Sequence, residues 1–386
     1  MTVLFLAEIA WGGLYQRPHH VAKAMASRWP VVWISPAALG GAASFQPRKV
    51  DANIYEINIP ALPYNARHAS VKILAKTLSY LPPVRWLFSL LQVRILKRIL
   101  RNHPFSENPG HIAFIHNFHL LDAVQKLHPS LRIYDYIDNV FGFTSLPAHV
   151  KKLWIRTLTA ADVVIVTSAK LREQVGQYRT QNVELIGNGV DFEMFSRKSS
   201  DPRPVDLPAA TTLVGYIGAV YPWLDIELLE SVCRKMPDTQ FVFIGTVHPA
   251  IETRMHNLQK NHRNVHVLGF RPYATIPGYL RYFDVGIIPF LRDELTLAVN
   301  PVKLYEYSAA GKPTVATDFS DELHHYTSTL FIAKSHEDFV TCLHQALKVS
   351  RDPAFSARLR EFAVNNDWKS KTQSILDIID QRLSGK

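Results

Sequence analysis

Short runs that are apolar at nearly every position recur along this chain, separated by stretches with helical periodicity. The runs cover residues 3–9, 31–35, 54–59, 112–116, 132–137 and 163–167, then 213–217, 241–244, 265–268, 285–289 and 314–317. A strand with no polar face must be buried on both sides, which happens almost only in parallel sheets covered by helices. The intervening stretches, such as 20–28, 226–235 and 302–310, have the amphipathic spacing of such covering helices. Repeated strand–helix–strand order implies right-handed βαβ units. The predicted fold class is therefore α/β, with Rossmann-like doubly wound sheets.

The alternation lapses once, at 197–212, where RKSSDPRPVDLPAATT is rich in Pro, Ser and Asp and has no period. It reads as a linker. It leaves an N-terminal domain at 1–196 and a second domain starting at 213, each long enough for its own core. Open α/β sheets bind ligands outside the carboxyl ends of their strands. Two such domains on one chain are expected to enclose an interdomain cleft lined by residues that follow strands.

Several segments sit at those positions. The first loop carries Gly12, Gly13 and Arg17 in WGGLYQRPHH. Its glycines let backbone approach a ligand, and the helix that follows favours an anion. It lacks the full dinucleotide-binding glycine pattern. His116 ends an apolar run and has the chemistry of an acid, a base or a sugar ligand. Asp135 and Asp138 lie three apart and so point to opposite sides of a strand; Asp138, nearer the carboxyl edge, is the better base candidate. Asn188 and Gly189 mark a turn.

In the second half, Gly218 and Gly245 end strands, and Arg271 and Tyr273 offer planar groups for a nucleobase. NPVKLYEYSAAGKP (300–313) is the most informative segment. Asn300 suits a helix N-cap, Pro301 its first position and Gly311 its C-terminal cap. The free N–H groups of Val302 and Lys303, with the Lys303 charge, make a diphosphate site. Glu306, one turn on, is placed to accept both hydroxyls of a ribose.

The net charge of +10 first suggests nucleic acid, but it is local. Residues 1–195 hold 21 Lys and Arg against 12 Asp and Glu, whereas residues 196–386 are almost neutral, with 22 against 21. Segment 71–101 alone holds seven basic residues, no acid, and many Leu, Ile, Val, Trp and Phe. That pattern fits an anionic membrane surface, with Pro82 and Pro83 dividing it into two amphipathic pieces. No basic–aromatic platform or nucleic-acid motif accompanies it, so no nucleic-acid partner is expected. No run is long enough to span a bilayer. The first residues lack the form of a signal peptide, and Cys233 and Cys342 supply neither a disulfide framework nor a metal site. The expectation is a cytoplasmic protein, peripheral on the inner face of the membrane.

Together, NGVDFEMF, GYIGAVYPWLD, FVFIG, LGFRPYATIPGYLRYFDVGIIPF, NPVKLYEYSAAGKPTVAT and the late NDW resemble the C-terminal half of GT-B glycosyltransferases of the bacterial polysaccharide type. The opening WGGLYQRPHHVAKAMA resembles the teichuronic-acid subgroup. The resemblance implies two Rossmann-like domains. The second, at 213–368, would hold a nucleotide-diphosphate sugar, with Pro301, Val302 and Lys303 at the diphosphate and Glu306 at the ribose. Gly218 and Gly245 would line the donor site, and Arg271 and Tyr273 would face the base. The first domain would hold a lipid-linked or polysaccharide acceptor, and 369–386 would form a helix returning to it. A UDP-linked donor and no metal or other cofactor are implied.

Two departures matter. Ala298 stands where many retaining members carry the first of two glutamates, Glu306 being the second. AVYPWLD also lacks the usual Arg and Lys clamp. Retention and inversion both stay open; an inverting reaction needs a base, for which Asp138 leads and His116 is second. A nucleotide-sugar epimerase and a non-catalytic sugar-nucleotide binder are the alternatives.

Overall fold

The computed structural model describes residues 1–37, 45–60, 81–102, 104–108, 110–142, 148–197, 202–209 and 212–385. The chain divides into two compact units, Met1–Ile137 with Thr144–Ile186 and Thr372–Lys386, and Asp138–Phe143 with Gly187–Lys371. The change of unit at 186/187 lies ten residues before the Pro-rich 197–212 stretch. The reason is that the turn at 187–190 is bonded forward. Asn188 N–H donates to Asn300 Oδ1 at 2.9 Å, and Val190 N–H donates to the Asn366 carbonyl at 3.0 Å.

The first unit is built on an eight-stranded sheet. Its strands are β1 (Thr2–Leu6), β2 (Val31–Ala37), β3 (Arg48–Asp51), β4 (Ile54–Pro60), β5 (His111–Ile115), β6 (Leu131–Tyr136), β7 (Val163–Val166) and β8 (Val183–Leu185). Their order is β3-β4-β2-β1-β5-β6-β7-β8. Every pairing is parallel except β3 on β4, a hairpin at the edge. Asn53 turns that hairpin at a φ of +57°, a conformation Asn tolerates better than most residues. Residues 3–6 of β1 are fully buried, as its unbroken apolar run requires. A core of Phe5, Trp33, Phe114 and their neighbours also takes in Ile375 and Ile379 from the last helix, Trp368–Ser384.

The second unit carries a six-stranded, all-parallel sheet of β9 (Leu213–Ile217), β10 (Gln240–Ile244), β11 (Val265–Gly269), β12 (Val285–Ile288), β13 (Thr314–Thr317) and β14 (Leu330–Ala333). Its order, β11-β10-β9-β12-β13-β14, is the doubly wound Rossmann order. The α/β expectation therefore holds in both units. Each sheet reverses direction at one point, between β1 and β5 in the first and between β9 and β12 in the second. Those switch points are where a ligand crevice opens at the carboxyl edge of each sheet.

The basic segment is described only from 81 onward; residues 71–80 lie outside the described residues. Pro82 and Pro83 begin the helix Pro82–Leu100, since proline is well accommodated in a helix's first turn, and the piece expected before them lies outside the described residues.

Candidate functional site

The second unit gathers most of the sequence candidates around the helix Val302–Ala309 at the β9/β12 switch point. Tyr307, on its buried face, packs where a Cβ on Gly286 would stand 2.3 Å away, and its hydroxyl accepts from Ile217 N–H at 2.9 Å. The end of β9 and the helix are thereby locked together. Gly218 follows β9 with a φ of +142°, and Gly245 follows β10 with +153°. Both values lie where side chains rarely go. Space is also needed: a Cβ on Gly245 would stand 1.9 Å from the Gly218 carbonyl oxygen, and one on Gly218 only 2.4 Å from Lys303 Cε. The two strand-end loops touch backbone to backbone, and Lys303 lies along the bare face of Gly218. Its ammonium sits 5.3 Å from the centre of the Tyr216 ring and 5.6 Å from that of Phe290, a seat that favours a cation.

Pro301, not Asn300, occupies the N-cap position, and no side chain caps this helix start. Asn300 is engaged elsewhere. Its Oδ1 accepts from Asn188 N–H and from the Tyr305 hydroxyl at 3.1 Å, and its carbonyl accepts from Asn188 Nδ2 at 2.7 Å. The capping expectation for Asn300 is thus corrected, because a competing set of partners satisfies it. The first N–H groups at Val302 and Lys303 lack a side-chain acceptor and carry the positive end of the helix dipole. Gly311 does close the helix, at a φ of +71°.

Three titratable groups meet here. Glu306 is only 8% exposed, and burial pushes its carboxyl up to about 7, against the pull of Lys303 and a hydrogen bond with Tyr273. Asp138 belongs to the same unit. Its neighbour Asn139 donates to the Glu294 carbonyl at 2.9 Å, and Gly142 lies against Leu295. Burial raises Asp138 to about 6, with Lys303 opposing. Burial lowers Lys303, with Glu306 and Asp138 opposing that shift. The site therefore brings together one cation and two carboxyls that ionise near neutrality, a pattern that concentrates at functional sites.

Arg271 lies in the same unit but is bound away, with Nη2 2.5 Å from Asp206 and Nε 2.9 Å from the Tyr279 hydroxyl. Tyr273 packs against Phe195 while bonding Glu306. Ala298 sits buried in a short turn, 296–298. In AVYPWLD, Tyr221 stacks on Trp223, and Asp225 caps the helix Ile226–Lys235.

The remaining candidates belong to the first unit. Gly12 and Gly13 are exposed in the loop after β1. Arg17 was expected to line a ligand loop, but it points inward. It is 2% exposed and grips Asp135 through two hydrogen bonds of 2.9 and 3.0 Å, with a third to the Ile186 carbonyl. A buried carboxylate at the end of β6 needs such a fork. His116 is 5% exposed, packed between Phe5 and Phe114, with Nε2 3.4 Å from Asp135. Neither ring nitrogen is hydrogen-bonded, and burial pushes its imidazolium down to about 4. Sequence reasoning missed three groups: Asp135 as the partner of Arg17, Tyr216 as the seat of Lys303, and the Asn188–Asn300 clasp. Among the described residues, no group of three or more His, Cys, Asp or Glu side chains is placed to hold a metal ion.

Residues 211–348, which contain Gly218, Gly245, Lys303 and Glu306 but not Asp138, match the family model "Glycosyl transferases group 1". The second unit carries a group 1 glycosyltransferase domain. A protein of Bacillus subtilis (strain 168) named as a teichuronic acid biosynthesis glycosyltransferase, TuaH, is 26% identical over 234 residues. That alignment takes in 59% of this chain and 59% of TuaH, so less than two thirds of the relative is matched. Among solved structures, the sucrose-phosphate synthase of Thermosynechococcus elongatus superposes over 100% of both chains, with a TM-score of 0.74 and 15% identity. An E. coli trehalose-6-phosphate structure bound with UDP-2-fluoro glucose gives 0.72 and 15% over 99% of both. Anabaena HepE in complex with UDP gives 0.64 and 14% over 99% of this chain and all of that one. The fold is GT-B.

Proposed function

We propose that this glycosyltransferase domain works on a UDP-linked sugar and that the chain transfers the sugar to a lipid-linked or polysaccharide acceptor in cell-envelope polysaccharide synthesis. The observation that carries this reading is the pairing of an uncapped helix start and seated Lys303 with buried Glu306, three residues on. The N–H groups and ammonium suit a diphosphate, and a carboxylate one turn away suits a ribose. The UDP of two structures with this fold and the name of the Bacillus relative support the donor and the acceptor class. A lipid-linked acceptor places the protein on the inner face of the cytoplasmic membrane as a peripheral protein.

In transfer, the bond from the sugar's anomeric carbon to the diphosphate oxygen breaks, and a bond to the acceptor oxygen forms. Lys303 and the helix start hold the charge that develops on the leaving diphosphate. The acceptor hydroxyl proton passes to a base. Asp138 fits that role better than His116: raised to about 6, it is largely ionised at pH 7 and lies within electrostatic reach of Lys303. His116, pushed down to about 4, is also in its basic form at pH 7, but it is sealed among aromatic rings. Arg271 reaches a base only by leaving Asp206.

Thermal-shift titration with UDP-, GDP- and ADP-sugars tests the donor, since a ligand stabilises by mass action. Stabilisation is expected with the UDP-sugar and not with the others. A shift by none of them refutes the donor reading. UDP-sugar binding without any transfer leaves a non-catalytic binder, and sugar conversion without an acceptor leaves an epimerase.

A further inference from the structure

The first unit has a basic cavity far from the carboxyl edge where the sequence candidates lie. It measures about 330 Å³ and is lined by Lys97, Arg101, Ser106, Asn108 and His111, with Leu100, Phe105 and Leu127 behind. His111 is the first residue of β5, so the cavity opens at the amino edge of the sheet. It also marks the C-terminal end of the helix Pro82–Leu100, which runs back from the carboxyl edge. Gln92 on that helix donates to the carbonyl of Pro60, the last residue of β4.

The outward face of the helix is graded. Ser89, Gln92, Val93, Leu96 and Ile99 are buried. On the opposite side, Trp86, Leu87 and Leu91 are 59%, 62% and 44% exposed. Further along the same side come exposed Arg94, Lys97 and Arg98, and then Arg101 beyond the helix end. Among the described residues, no carboxylate pairs with any of these four cations, whereas Arg85 on the flank is paired with Asp122 at 3.3 Å. Four unpaired cations in a row, beside three exposed large apolar side chains, form a surface that is costly to leave in water and complementary to an anionic interface.

We infer that this face docks on an anionic phospholipid bilayer. Trp86, Leu87 and Leu91 enter the acyl boundary, and one lipid phosphate occupies the cavity between Lys97 and Arg101. Charge complementarity selects the occupant. A protein partner would have to offer a row of acids spaced along a 19-residue helix, whereas anionic headgroups supply that charge on any approach. The inference deepens the membrane placement proposed above and names its site, but it does not require the donor assignment to be right.

The test is flotation of the full chain with vesicles of phosphatidylcholine alone or with one third phosphatidylglycerol, at low and high salt. Binding is expected only with phosphatidylglycerol and should weaken with salt. Two variants remove equal charge: Lys97→Ala with Arg101→Ala at the cavity, and Arg94→Ala with Arg98→Ala on the helix surface. At about five-fold per cation, the surface pair should lower the partition coefficient about thirty-fold; the cavity pair should lower it clearly more, because it also removes the phosphate site. Equal losses overturn the cavity, and no wild-type binding at low salt overturns the whole inference. Saturable uptake of inorganic phosphate without vesicle binding would assign the cavity to a soluble anion and overturn the lipid assignment. All four altered residues keep exposed surface, and matching thermal midpoints would establish that the variants fold. UDP-sugar thermal shifts on the same samples separate a failure of docking from a failure of the proposed activity.

Discussion

Replacing Gly218 with alanine probes the donor site where it is tightest. The new Cβ would stand 2.4 Å from Lys303 Cε and 2.7 Å from Nζ, on a backbone with a φ of +142°. Backbone strain of that kind costs about 1–3 kcal/mol. In a unit of this size each kcal/mol lowers the unfolding midpoint by about 2–4 °C, so Gly218→Ala should unfold several degrees earlier. The steric conflict falls on the flexible end of Lys303, which must leave its seat over Tyr216 and Phe290. A charge-assisted contact from that ammonium to a diphosphate contributes about 1.5–3 kcal/mol, so Lys303→Ala should weaken UDP binding about 10- to 150-fold. Gly218→Ala moves the same ammonium and should weaken UDP binding by a similar factor. The two effects are therefore coupled. In the Lys303→Ala background, adding Gly218→Ala should still lower the midpoint but remove little further affinity. Isothermal titration with UDP on all four proteins, with thermal unfolding alongside, measures both. Affinity losses that multiply in the double variant would refute the reasoning, since Gly218 would then act without Lys303.

Two other perturbations follow from the buried charges. Glu306 titrates near 7 in the folded chain, against 4.5 as the ordinary value. Between those pH values the folded state binds more protons than the unfolded one, so stability falls as pH rises from about 4.5 to about 7. Asp138 adds a fall of the same sign between 3.8 and about 6. Glu306→Gln should therefore flatten the thermal midpoint between pH 6 and 7; an unchanged profile counts against burial as the cause. UDP affinity should rise towards pH 7 in the native chain, because only the carboxylate accepts from both ribose hydroxyls, and should stay level in the variant. In the first unit, Arg17→Met leaves Asp135 buried without its guanidinium partner and with only His116 beside it. The expected loss is about 3–5 kcal/mol in urea unfolding, and a loss below about 1 kcal/mol would mean that solvent reaches the carboxylate.

What could be read in the sequence and what could not divides along the range of the interactions. Strands such as β1 and β12, buried along their whole length, announce themselves because double burial leaves no polar position. β3, RKVD, does not, because an edge hairpin strand keeps charged side chains in water. The pairing of Lys303 with Glu306 is local, three residues apart on one helix, and was legible. Arg17 and Asn300 were misread for the opposite reason. Local rules assigned Arg17 to a ligand loop and Asn300 to a cap, but their partners lie 118 and 112 residues away. Those partners are chosen by strand order. Asp135 is the penultimate residue of β6, Arg17 begins the helix after β1, and only the order β1-β5-β6 places both at one edge. The same holds for the seat of Lys303. Its spacing from Tyr216 carries no signal, yet β9 and β12 are neighbours at the switch point, so the end of β9 must face the helix that follows β12. A site at a topological switch is thus assembled from side chains that local periodicity can find singly. Only the sheet order can pair them.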